Sequence, residues 1–152
     1  MNQPMALLVL TGLAVAACST DDSAPLEVGN VSVFAPLPGR SATVAYLDIR
    51  NRSQKPVTIA RISCAGFDRA EMHETTVTNG VASMHAVPEV RIDAGAILSF
   101  EPGGMHIMLI DPVKSLLPGN VLQLEIHYDD GGLLIVEAPV RTRLDATNGN
   151  RG

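Results

Sequence analysis

The chain has 152 residues, enough for one domain with a core of ordinary size. Eleven Lys and Arg stand against 16 Asp and Glu, a formal net charge of −5. No basic stripe is left to neutralise phosphates, and with only 3% aromatic residues there is little surface on which bases or sugars could stack. A nucleic-acid partner is therefore argued against. The abundance of Val, Ile, Leu and Ala, with 13 Gly and 10 Pro, suits many short strands joined by turns.

In chain order, residues 1–17 read as an export signal. The apolar run of "MALLVLTGLAVAAC" is too short for a membrane span and ends in small residues. It stops at Cys18, preceded by "VAA", which resembles a bacterial lipobox and makes Cys18 the expected site of lipid attachment. The opening "MNQP" departs from that pattern in carrying no Lys or Arg; the alternative is a plain secretory signal. Ser19 after the cysteine points, by the sorting rule that the resemblance implies, to the outer membrane. The expected location is the periplasmic face of a bacterial membrane, or the soluble periplasm if no lipid is attached. Residues 18–25 read as the lipidated cysteine and a polar tether, "STDDSAPLE" lacking apolar periodicity.

The domain is expected over 26–142, followed by a polar tail at 143–152. Runs of strand length and strand pattern lie at 27–34, 43–50, 56–63, 70–77, 81–87, 96–101, 105–111, 121–128 and 133–140. Asn79-Gly80 between two of them is a hairpin signal, because both residues tolerate positive φ. "DDGG" at 129–132 marks a second hairpin. No segment has a helical period and there are no internal repeats. Eight or nine strands at this spacing predict an all-β, antiparallel sandwich or barrel.

If Cys18 carries lipid, Cys64 is alone and no disulfide forms within the domain. Cys64 could be a catalytic thiol, a metal ligand or a small core residue; free cysteine is among the most buried residue types, which favours the core. No His–Cys or Ser–His–Asp arrangement has a recognisable context, and Asp129-Asp130 lies in a turn where solvation is expected. Nothing in the sequence indicates an enzyme.

Residues 72–109 hold the unusual chemistry. Beyond the leader the chain has four methionines, Met72, Met84, Met105 and Met108, all in this stretch with His73, His85 and His106. Alternate strand residues share a face, so His106 and Met108 project together while Met105 and Ile107 face the core. Across the Asn-Gly turn, His73 and Met84 lie on neighbouring strands of one hairpin. The two pairs are expected to meet at one end of a sandwich, gathering two imidazoles and two thioethers. Imidazole suits several transition metals, whereas thioether is soft, uncharged and selects Cu(I).

The spacing is His73, ten residues, Met84, twenty-one residues, His106, one residue, Met108. It resembles the H(M)x10Mx21HxM signature of the periplasmic copper chaperones called PCu(A)C. "AYLDIRN", "EMHET", "PGGMHIML" and "DDGGLLIVEAPVR" look like segments of that family, and the resemblance covers roughly residues 27–142. It implies a cupredoxin-like antiparallel Greek-key sandwich with His73, Met84, His106 and Met108 as Cu(I) ligands. It also implies delivery of copper to a respiratory enzyme, most often the CuA centre of cytochrome c oxidase. The implied partners are the oxidase subunit II and other copper chaperones, with membrane contact through the lipid anchor alone. Phe34 stands where many members have Trp, and the His/Met-rich tail of some members is absent, so a second copper site is not implied. Met72, His85 and His127 match no required position and are expected to be packing or surface residues.

Other classes predict different chemistry. A blue-copper electron carrier needs a thiolate beside its histidines, and no His or Met follows a cysteine at the short spacing of such loops. A lipoprotein for copper buffering or resistance would share the site. A purely structural or interaction module would bind no copper.

Overall fold

Strand periodicity is written plainly in the second element: Thr43, Ala45, Leu47, Ile49 and Asn51 are buried, and the residues between them are not. The computed structural model describes residues 25–142. The signal 1–17, Cys18, most of the tether and the tail at 143–152 lie outside the described residues. Among the described residues ten strands are present in chain order: β1 Leu26–Phe34, β2 Ala42–Asn51, β3 Val57–Cys64, β4 Phe67–Thr78, β5 Val81–Ala86, β6 Val90–Ile92, β7 Ile97–Phe100, β8 Met105–Pro112, β9 Val121–Tyr128 and β10 Leu133–Arg141.

These strands pair in the order β5-β4-β8-β2-β1-β10-β9-β3-β6, with β7 beside β2. Sheet neighbours that are distant in sequence, such as β4 with β8 and β3 with β9, are the crossovers of a Greek-key arrangement. The path folds over between β1 and β10, so that both halves pack on one core. That core takes Ala45, Leu47, Ile49, Ile107 and Leu109 from one half and Ile59, Leu124, Ile126 and Ala138 from the other. All strand pairs are antiparallel except β1–β10, which is parallel through Val33↔Val140 and Phe34↔Arg141. The sheet is thus mostly antiparallel, as expected, with this one parallel pair among the described strands. Within β1 a bulge lies between Gly29 and Ser32, where Asn30 has φ 52° and donates from Nδ2 to Asp48 Oδ2 at 2.6 Å. Such a bulge bends the strand that carries it and increases its twist.

The other differences are local. β6, three residues long, was not foreseen, and β4 begins at Phe67, three residues before the expected start. The Asn79-Gly80 hairpin forms as its chemistry predicts, with φ of 53° and 79°. Where β2 ends, Asn51 is wholly buried. Its Nδ2 donates to the carbonyls of Lys55 at 2.7 Å and Ile92 at 3.0 Å, and its Oδ1 accepts from the Ser53 amide. One amide side chain thus ties the β2–β3 loop to β6 with every polar group satisfied.

Candidate metal centre

Three adjacent strands of one sheet carry the expected donors. In the β4–β8 ladder His73 is directly opposite His106, and Glu71 is opposite Met108. In the β4–β5 ladder Thr75 is opposite Met84, and His73 is opposite Ala86. Residues directly opposite one another point to the same side, as do residues i and i+2. His73, His106, Met108 and Met84 therefore all project from one face, with Met84 the diagonal neighbour of His73. Met72, Ile107 and Leu109 alternate with them and are buried in the core. The quartet lies on the outer face of the sheet, gathered by lateral pairing. The two pairs meet through lateral pairing of β4 beside β8, where β8 begins and the β4–β5 hairpin runs on past the ladder.

The imidazoles form the floor of this patch. His106 is 5% exposed, enclosed by β4, by β8 and by the turn before β8, whose Gly104 carbonyl also accepts the Thr75 amide. Its Nδ1 lies 3.1 Å from the Gly104 carbonyl oxygen. A carbonyl can only accept, so Nδ1 carries the proton and Nε2 keeps a lone pair. His73 has the opposite arrangement. Its Nε2 lies 2.9 Å from Glu71 Oε2, while its Nδ1 is buried without a hydrogen-bond partner. The ring centres are 6.0 Å apart at an interplanar angle of 43°. Two imidazole–metal bonds of about 2 Å each span a ring-to-ring separation of this order. Met108 is half-buried, and Met84 is 53% exposed on a strand whose six residues are all exposed.

Glu71 and Arg69 extend the arrangement along β4. Arg69 donates to Glu71 Oε1 at 3.1 Å and to Asp111 Oδ2 at 3.4 Å. The His73 hydrogen bond, ahead of the Arg69 charge, holds the Glu71 carboxyl below the usual carboxylate range. Neither residue was foreseen from the sequence. The signal was available, since "RAEMH" places Arg69, Glu71 and His73 on one face by period-two alternation.

The remaining candidates fall elsewhere. Met72 is in the core and Met105 packs against it. His85 points to the opposite face of the hairpin, opposite Glu74, with Nε2 3.2 Å from that carboxylate. His127 is on β9, bonded to Arg61 at 3.0 Å and to Ser63 at 3.2 Å. Cys64 is buried in the core, and burial pushes its thiol up to about 11, as a packing role requires. Among the described residues no three or more His, Cys, Asp or Glu side chains cluster so as to hold a metal ion. The other side chains with donor atoms that share this face with the two imidazoles and Glu71 include the thioethers of Met84 and Met108.

Residues 26–140 match the family described as "Putative lipoprotein LpqE-like". A curated relative, "Putative lipoprotein Lxx21020" of Leifsonia xyli subsp. xyli, is 28% identical over 150 residues, covering 96% of this chain and 90% of its own length. Among solved structures, the Cu(I) form of DR1885 from Deinococcus radiodurans superposes with a TM-score of 0.66 at 26% identity, over 85% of this chain and 87% of that one. The copper-bound PCuAC domain of PmoF2 superposes with a TM-score of 0.65 at 18% identity, over 78% of this chain and 94% of that domain. The fold is thus the cupredoxin-like β fold of PCuAC domains.

Proposed function

The chain belongs to the LpqE-like family, and from that membership together with the outer-face quartet we propose that it is an exported lipoprotein that binds one Cu(I) and passes it on. The observation that carries the proposal is the orphaned Nδ1 of His73, buried 6.0 Å ring-to-ring from His106. A buried acceptor without a partner costs free energy, and a metal ion would relieve that cost. The donor set selects the metal: two neutral thioethers and two imidazoles suit Cu(I), whereas zinc favours thiolate, imidazole and carboxylate. The likeness to the Cu(I) form of DR1885 supports the same reading.

Handing copper on, rather than storing it, is favoured by Met84. This donor is half-exposed on an edge strand, where an incoming ligand can replace it while the buried histidines still hold the ion. The recipient we propose is the CuA centre of cytochrome c oxidase subunit II. Periplasmic buffering is the second reading, and the two differ in whether copper leaves for that acceptor. The function is non-catalytic, and attachment to the membrane would run through lipid on Cys18, in keeping with the family description.

Cu(I) titration against a competing chelator, without oxygen, tests the quartet. Met108→Leu and Met84→Leu roughly preserve volume and apolarity, and should cost less than about 1.5 kcal/mol of apo stability. Each should weaken Cu(I) binding by more than about tenfold, the lower end of what losing an outer-shell partner costs. His106→Ala should bind as poorly, while His85→Ala, altered on the opposite face, should bind like wild type. Full affinity in both Leu variants would make the methionines packing residues and remove the chemical basis of the proposal.

Transfer is checked by mixing the Cu(I)-loaded protein with apo subunit II and following the metal by chromatography. Copper should move to the oxidase domain; its complete retention would favour buffering. For the anchor, wild-type protein should fractionate with membranes. Cys18→Ser should be soluble with unchanged Cu(I) affinity, and wholly soluble wild-type protein would contradict lipid attachment.

A further inference from the structure

Both histidines of the quartet are already committed at one ring nitrogen, and each is committed at a different one. We infer that Glu71 is a positioning residue that fixes the His73 ring so that Nδ1 is the nitrogen offered to copper, while His106 offers Nε2. The inference rests on the reading that the quartet binds Cu(I).

The argument begins with donors and acceptors. A carboxylate oxygen only accepts, so the 2.9 Å contact between His73 Nε2 and Glu71 Oε2 requires the proton on Nε2. A neutral imidazole then has its lone pair on Nδ1, the buried atom that has no partner in the protein. At His106 the Gly104 carbonyl takes the Nδ1 proton and the lone pair falls on Nε2. Each ring thus presents one free lone pair, with the tautomer set by a neighbour rather than by the metal.

Glu71 suits this task better than it suits coordination. One of its oxygens accepts from His73 and the other from Arg69 at 3.1 Å, with Arg69 steadied from its far side by Asp111. A hard carboxylate oxygen is also a poor donor for Cu(I). Placed directly opposite Met108 in the ladder, the carboxylate still lies beside the quartet. There its hydrogen bond fixes the orientation and tautomer of the His73 ring, as outer-shell carboxylates do at other metal sites.

The test is nitrogen-resolved NMR of the imidazole rings in wild type, Glu71→Gln and Glu71→Ala, without copper and with one equivalent of Cu(I). In apo wild type His73 should be the Nε2–H tautomer and His106 the Nδ1–H tautomer. Cu(I) should shift His73 Nδ1 and His106 Nε2. Glu71→Ala should leave His73 a mixture of tautomers and weaken Cu(I) binding by roughly 10–100-fold. Glu71→Gln, which keeps an acceptor oxygen, should restore the tautomer and part of the affinity. An unchanged His106 spectrum in every variant shows that the sheet is intact. An Nδ1–H tautomer at His73 in the apo protein, or a Cu(I) shift at His73 Nε2, would overturn the assignment of Glu71 and leave the copper reading standing. No Cu(I) response at either ring would overturn the copper reading itself, and the assignment with it.

Discussion

A slip of one residue between β4 and β8 would turn His73 into the core and Met72 onto the surface. The side-chain period of a strand is two, so register decides every face at once. The ladder that sets His73 opposite His106 and Met72 opposite Ile107 is held by hydrophobic burial on its inner side. Burial of Met72, Ile107 and Leu109 is worth about 1.5–3 kcal/mol each for a fully buried side chain of this size. The same burial keeps the polar residues between them facing outward. The core face thereby places the site on the other side of the sheet, and the chemistry depends on packing it never touches.

Along the quartet runs a gradient from fixed to accessible. His106 is enclosed at 5% exposure, the His73 side chain is 16% exposed, Met108 is half-buried, and Met84 is more than half exposed on the edge strand. The nitrogen donors occupy β4 and β8, which have neighbours on both flanks. Their orientations are set in advance by Gly104 and Glu71. Preset donors cost little ordering when a metal arrives, and an edge donor can be displaced without disturbing the others. Such a division of labour suits a site that must hold an ion firmly and then release it to a partner.

Much of this was legible in the sequence, and the limits were physical. Strand positions and the Asn79-Gly80 hairpin follow from local periodicity and turn chemistry, both of which act over a few residues. The common face of His106 and Met108 needs only the two-residue period. The adjacency of β4 and β8 is a pairing across more than thirty residues, which no local pattern specifies. It is what sets the donors of the two strand pairs side by side. The parallel β1–β10 pair is hidden for the same reason, because it joins Val33 to Val140 across nearly the whole domain. Glu71 was passed over because a lone carboxylate near a histidine is common. Only the 2.9 Å contact and the orphaned Nδ1 give it a role.

X-ray absorption at the copper edge of the Cu(I)-loaded protein addresses the central claim most directly, because it counts the atoms bound to the metal. Two nitrogen neighbours at about 2 Å and two sulfur neighbours at roughly 2.3 Å, ordinary lengths for such bonds, are predicted. The sulfur contribution should diminish in both Met108→Leu and Met84→Leu. A shell made only of nitrogen and oxygen would contradict the account.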